Sequence, residues 1–236
     1  MLIRNKKTFT LGIVMTVSFL GVLVLIFSPV FNGQNGLKFA DDLFNKLSKG
    51  SSYYIEKVKK SNEAMLGKSV DVEIPVEKAE DGKRTAELFR KAGAVVEEKD
   101  KALVIKGDLG KVLAVAIQDA DEMYHNRGET LKNAYGYDEK AVLKDWWNAF
   151  SQMDKALKRD KKVDMASVVY SVNQKAIEPA YNFYKIEGQK VSEKAVIMTA
   201  LLIFYVIYTM WWGFALFYIF DGIGLSMKKS KVKKEV

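Results

Sequence analysis

The chain has 236 residues, a formal net charge of +8 and no cysteine. The length allows one or two domains, and the lack of cysteine excludes disulfide bonds, cysteine-ligated clusters and thiol catalysis. The basic excess lies in the tails: Arg4, Lys6 and Lys7 precede the first apolar run, and five lysines between residues 228 and 234 follow the second. A nucleic-acid-binding protein carries its excess charge on the folded domain, so we predict no nucleic-acid partner.

The first predicted element is an uncharged run over residues 11–31, after a short tail of residues 1–10. A helix of this length spans roughly 31 Å, which matches the hydrocarbon core of a bilayer. A cleaved signal peptide is the alternative, but its apolar region is usually only about 7–15 residues long and ends at a small-x-small site. Residues 28–31 are a poor cleavage site, so we predict an uncleaved signal anchor.

Residues 32–66 follow as an amphipathic helical segment, and residues 67–126 as an α/β unit. Alternating polar and apolar residues predict a first strand over 70–76, which Pro75 places at an edge or ends. A helix over 84–92, strands over 94–96 and 102–105 joined by a charged turn over 97–101, and a helix capped by Asp108 come next. The order β-α-β-β-α is most of a ferredoxin-like split unit without its last strand.

Residues 127–190 are predicted to be helical, with core-spaced helices over 138–158 and 163–177 and a kink or restart at Pro179. A second uncharged run over residues 195–220 is long enough to span a bilayer, and a basic tail over 221–236 ends the chain. Lys and Arg that flank a membrane span stay on the cytoplasmic side. We therefore predict an α+β protein of the inner (plasma) membrane, with two transmembrane helices, both termini cytoplasmic, and a mostly helical periplasmic or extracellular domain.

The second predicted span is unusually aromatic, and Tyr205, Tyr208, Trp211 and Trp212 are its candidate partner-helix interface. One interpretation is packing against the first span through its small residues, which are Gly12, Thr16, Ser18 and Gly21. Another is docking of a helix from a partner protein, and a third is contact with a lipid or a quinone. A tyrosine hydroxyl within lipid favours a hydrogen-bond partner, which supports a protein neighbour.

His125 is the only histidine, and with Glu122 it forms a Glu-x-x-His pair of the type found in di-iron bundles. Such centres need two of these pairs and two further carboxylates, so a structural role is the main interpretation, with a metal site or acid–base catalysis as alternatives. Residues 107–111, Gly-Asp-Leu-Gly-Lys, faintly resemble a phosphate loop but lack its Gly-Lys-Ser/Thr ending. We predict no metal, no cofactor and no enzymatic activity.

Two other features have a plain and a functional interpretation. Trp146 and Trp147 could line a ligand pocket, but tryptophans at core spacing more often form the core. The C-terminal lysines could bind anionic lipid, or they could serve only as topology signals.

Three functional hypotheses follow from these features. The first is a non-catalytic accessory subunit or assembly factor of a larger membrane complex, bound to the bilayer and to a membrane-protein partner. The second is an extracytoplasmic sensor or ligand-binding module that signals through a partner's membrane helices. The third, a membrane-anchored enzyme, rests on His125 and its carboxylate neighbours.

Overall fold

The computed structural model describes residues 3–225, and the chain divides into two compact units. One unit comprises Met1–Phe44 and Gln189–Val236, and the other comprises Asn45–Gly188. The elements in chain order are α1 (Lys6–Phe27), α2 (Gly36–Ser51), α3 (Ile55–Glu63), β1 (Ser69–Pro75), α4 (Ala79–Lys91), β2 (Val95–Lys99), β3 (Ala102–Asp108), α5 (Leu109–Tyr124), α6 (Glu129–Tyr135), α7 (Glu139–Arg159), α8 (Val163–Val172), a π-helix (Asn173–Ile177), α9 (Glu178–Asn182), a 3₁₀ turn (Val191–Lys194) and α10 (Ala195–Gly222). The fold is therefore mostly helical with a small sheet.

Helices α1 and α10 correspond to the two predicted spans, and within the described residues they are the helices long and apolar enough to cross a membrane. Helix α1 begins five residues before the uncharged run, because the Asn5 side chain accepts hydrogen bonds from the amides of Lys7 and Thr8 and caps it. It ends at Phe27, since the position before Pro29 disfavours helical backbone. The basic residues expected at 228–234 lie outside the described residues.

The sheet of the second unit has the order β1-β3-β2, with both pairs antiparallel. Strand β1 lies at an edge and ends at Pro75, as the sequence predicts. Its alternating Val70, Val72 and Ile74 are buried, so one face of the sheet packs on the core. Within residues 3–225 the sheet has three strands, which confirms the β-α-β-β-α order without a fourth strand.

The charged turn predicted over residues 97–101 is wrong in extent. Glu97, Glu98 and Lys99 belong to β2, and only Asp100 and Lys101 form the turn to β3. Charged residues fit this strand because its outer face is solvated, and Lys99 forms an ion pair with Glu73 of β1 at 2.6 Å. A run of charged residues is therefore not sufficient evidence of a loop in this chain.

The core of the second unit is built around α7, which begins after its capping residue Asp138. The fully buried Trp146 and Phe150 of α7 meet Phe89 of α4 in edge-to-face contacts, with ring centroids 5.3 and 6.3 Å from Phe89. Burial of one such side chain stabilises the fold by about 1.5–3 kcal/mol. The two neighbouring tryptophans therefore differ: Trp146 belongs to the core, whereas Trp147 is 41% exposed.

The helical segment predicted over 163–177 changes its winding before it ends. Helix α8 passes into the π-helix at Asn173, and the amide of Glu178 reaches back to the carbonyl of Asn173. Pro179 accounts for this widening, because its ring would collide with a carbonyl one α-helical turn earlier. The restart expected at this proline is helix α9. Helix α6 had no separate prediction.

Candidate functional site

Helices α1 and α10 form an antiparallel pair. The amides of Arg4 and Asn5 each donate to the carbonyl of Gly222 at 2.9 Å, while Gly12 meets Ala215 and Ile219 farther along. These contacts place the start of α1 beside the end of α10. If the pair crosses a bilayer, both termini lie on one side of it.

Two glycines allow the close approach of these helices. A Cβ at Gly12 would lie 2.7 Å from the Ile219 amide nitrogen and 3.0 Å from the Ala215 carbonyl oxygen. A Cβ at Gly222 would lie 2.6 Å from the Cβ of Phe9. None of these three distances leaves room for a side chain, so the contact depends on glycine at both places, as in small-residue interfaces of membrane helices.

The small residues expected to face α10 separate into two groups. Gly12 is buried and Thr16 is half-buried at the contact, and the Thr16 hydroxyl donates to the Gly12 carbonyl at 2.9 Å. Ser18 and Gly21 are exposed, and a Cβ at Gly21 would meet no atom within 4 Å. The prediction is wrong for this second pair, because the contacting residues recur at a spacing of three and four along the helix.

Two of the four aromatic candidates of α10 contact α1. Tyr208 stacks on Phe19 with ring centroids 4.2 Å apart, and Trp212 lies 4.8 Å from the same ring. Trp211 is half-buried, and Tyr205 is 66% exposed. The structure therefore brings Tyr208 and Trp212 against Phe19 and leaves Tyr205 uncovered within this unit.

None of the three tyrosine hydroxyls of α10 has a hydrogen bond within the described part of the chain. The Tyr208 oxygen is covered by its surroundings and has no partner. The exposed Tyr205 hydroxyl has none either, although the Tyr205 carbonyl accepts from Thr209 at 2.7 Å. In hydrocarbon an unpaired hydroxyl is unfavourable, so the exposed Tyr205 hydroxyl is a polar group of α10 that another molecule could satisfy.

Lys49 is the centre of a group of polar contacts in the second unit, which we call the Lys49 cluster. Its side chain is buried, and the residue is only 5% exposed. Its ammonium donates to the side-chain oxygen of Asn126 at 3.0 Å, to the Phe183 carbonyl at 3.1 Å and to the Ile186 carbonyl at 2.5 Å. The Tyr124 hydroxyl donates to the Lys49 carbonyl. Burial lowers the pKa of Lys49, although the charge of Glu187 opposes this.

Asn126 extends the Lys49 cluster to the end of the same unit. Its side chain accepts from the Lys185 amide at 2.8 Å and donates to the Glu187 carboxylate at 3.1 Å. A Cβ at Gly188 would lie 3.5 Å from the amide nitrogen of Gly50, so the two ends of this unit meet. Sequence reasoning does not predict the Lys49 cluster, because lysine is rarely buried and the partners of Lys49 lie far away along the chain.

Asp119 is a second buried polar centre. Its carboxylate accepts hydrogen bonds from the Tyr135 hydroxyl at 2.6 Å and from the Trp146 indole at 2.9 Å. Burial raises the pKa of Asp119 although these hydrogen bonds oppose the shift. Both partners of the carboxylate are core aromatic residues, so this group anchors α5 to its neighbours.

His125 and Glu122 do not converge on a common site. Helix α5 ends at Tyr124, and the His125 ring contacts the Asp121 carboxylate at 3.1 Å. Glu122 instead forms an ion pair with Arg127 at 2.7 Å. Among residues 3–225 no group of three or more His, Asp or Glu side chains is arranged to hold a metal ion.

The segment that resembles a phosphate loop is closed. Asp108 accepts from the amides of Lys111 and Gly67, so a carboxylate already occupies the start of α5. A Cβ at Gly110 would lie 2.5 Å from the Leu66 amide nitrogen, which shows how tightly this backbone packs. A phosphate has no access to the amides of this turn.

Trp147 lies in an open depression, in contrast to its buried neighbour. We call this depression the α7–α9 groove; it has a volume of 260 Å³, and its lining includes Leu143, Lys144, Trp147, Ile177, Glu178 and Tyr181. The ligand-pocket interpretation of the tryptophan pair therefore remains open for Trp147 alone.

Comparison with protein-family models, with curated proteins and with solved structures finds no match to this chain.

Proposed function

We propose that this chain is a two-span membrane protein that serves as a non-catalytic accessory subunit or assembly factor of a larger membrane complex. In this proposal α1 and α10 cross the inner (plasma) membrane, both termini are cytoplasmic, and the unit of residues 45–188 lies on the opposite side. The antiparallel pairing of two apolar helices supports this topology. The basic residues before α1 support the cytoplasmic placement of the termini.

The observation that carries the role is the exposed Tyr205 on the side of α10 that α1 leaves uncovered. Tyr205 lies ten residues into the helix, or about 15 Å along it. Aromatic belts form at the membrane interfaces, whereas a hydroxyl deeper in the bilayer gains most from a polar group on a neighbouring protein helix. We therefore assign the partner to this side of α10.

The test is purification of the tagged full chain from its native membrane in a mild detergent. We expect one or more membrane proteins to remain in fixed stoichiometry, and we expect Tyr205→Phe, which removes only the hydroxyl, to reduce their retention severalfold. Tyr218→Phe is the matched control, because Tyr218 lies near the end of α10. A chain that purifies alone as a monomer, or equal retention by both variants, would refute the assignment.

A further inference from the structure

The α7–α9 groove combines an apolar floor with charges of both signs. Leu143 and Ile177 are fully buried beneath it, and the rings of Trp147 and Tyr181 form its sides. Lys144 and Glu178 also line it. Its volume of 260 Å³ lies just below the range of about 300–1,000 Å³ that drug-sized ligands occupy, so a small molecule is the matching size of occupant.

The shape of the groove follows from the change of helical winding opposite α7. The Asn173 side chain donates to the Trp147 carbonyl at 3.1 Å and to the Ser151 hydroxyl at 3.0 Å, which fixes the π-helix to α7. Because the π-helix inserts an extra residue, α9 resumes with a different face toward α7, and Tyr181 flanks the groove. A π-helix at a binding site is a recurrent feature of proteins.

The two charges of the groove are not neutralised by each other. Within residues 3–225 neither Lys144 nor Glu178 has an opposite charge within 4.0 Å. Nearby, the Lys140 ammonium lies over the Tyr181 ring, 4.7 Å from its centroid. An occupant that carries one positive and one negative group on an apolar body would complement both open charges at once.

We propose that the α7–α9 groove binds a small zwitterion with an apolar side chain, of the chemical class of the apolar α-amino acids. The carboxylate pairs with Lys144, the ammonium pairs with Glu178, and the side chain packs on Trp147 above Leu143 and Ile177. A purely anionic or purely cationic amphiphile would make a charge-assisted hydrogen bond with only one of these two side chains. This proposal is independent of the partner on α10 and does not require one.

The test uses the full chain in lipid nanodiscs, because detergent monomers would compete for an apolar groove. Binding of radiolabelled L-leucine and L-phenylalanine is measured by scintillation proximity, with octanoate and octylamine as competitors that carry only one of the charges. We expect both amino acids to bind, and each competitor to displace them at least tenfold more weakly than unlabelled L-leucine does.

Three variants locate the site. We expect Lys144→Met and Glu178→Gln each to weaken binding at least tenfold, and Trp147→Ala to abolish it. Lys155→Met, an exposed lysine on the same helix, is the control and should bind as the wild type does. Far-UV circular dichroism and size-exclusion profiles check that each variant is folded.

Three outcomes would overturn the proposal. Absence of amino-acid binding, or binding that Trp147→Ala leaves intact, would show that the groove is not the site. Displacement by octanoate as effective as that by L-leucine would show an anion site without the ammonium pocket, and the assignment of Glu178 would fail.

Discussion

Replacement of Lys49 by Met is expected to loosen the end of the second unit. Methionine keeps the apolar stem and the volume but removes the three ammonium hydrogen bonds to Asn126, Phe183 and Ile186. Each hydrogen bond from a charged donor contributes about 1.5–3 kcal/mol, so the gross loss is roughly 5–9 kcal/mol. Two effects reduce this loss.

The first offset is the desolvation cost of burying the ammonium, which is about several kcal/mol for an ion in a protein interior. The lowered pKa of Lys49 reflects this cost. The second is that every acceptor keeps another donor. The Asn126 oxygen retains the Lys185 amide, the Phe183 carbonyl retains the Ile186 amide, and the Ile186 carbonyl retains the Asn126 side chain. The net loss is then about 2 kcal/mol, which is about 30-fold in an equilibrium constant.

Hydrogen exchange followed by mass spectrometry on the full chain in nanodiscs measures this effect. We expect peptides over residues 183–187 of Lys49→Met to exchange about 30-fold faster than those of the wild type. Lys60→Met, a substitution at an exposed lysine of α3, should change exchange by less than about 0.5 kcal/mol. If the Lys49 variant exchanges like the Lys60 variant, the hydrogen bonds of the Lys49 cluster contribute nothing to stability and the predicted loss is wrong.

The remaining predictions concern the helix pair, the topology and the buried acid. Gly12→Leu should destabilise the α1–α10 pair by about 1–3 kcal/mol in detergent unfolding, whereas Gly21→Leu, at an open position, should have little effect; equal effects would contradict the observed contact. Because the chain has no cysteine, single cysteines can report the topology. An impermeant maleimide should label Asp100→Cys in intact cells and Ser230→Cys only after permeabilisation; the reverse pattern would contradict the proposed topology. Burial raises the folded-state pKa of Asp119 above its ordinary value of 3.8, so the folded chain binds more protons than the unfolded chain just above that pH, and this group lowers stability as pH rises. The melting temperature of Asp119→Asn minus that of the wild type should therefore increase with pH above about 4; a constant or falling difference would show that the carboxylate is not buried in charged form.

The elements of the fold that sequence reasoning predicts correctly are those with a local physical cause. Asp108 and Asp138 begin α5 and α7, because an aspartate side chain can accept from the amides of the first helical turn. Pro75 ends an edge strand and Pro179 ends an α-helical register, because proline lacks an amide hydrogen. These signals act over a few residues, so a single sequence contains them.

The features that sequence reasoning misses depend on contacts between distant residues. The helical spacing around Lys49 describes an ordinary amphipathic helix, and nothing nearby indicates that the ammonium is enclosed by residues of the 126 and 183–186 segments. Glu97 and Glu98 are typical of loops, yet pairing with β3 draws them into a strand. The difference between the buried Trp146 and the exposed Trp147 likewise follows from which helices pack beside α7.

The Lys49 cluster joins the two ends of the unit of residues 45–188. Lys49 and Asn126 bind the segment of residues 183–186, and Gly50 lies beside Gly188. These residues are far apart in sequence, so their contact closes a long loop, and its hydrogen bonds offset part of the entropy that this closure costs. A buried lysine is costly in a small domain, and its presence at this point is accounted for because its three acceptors fasten the closing contact of the domain.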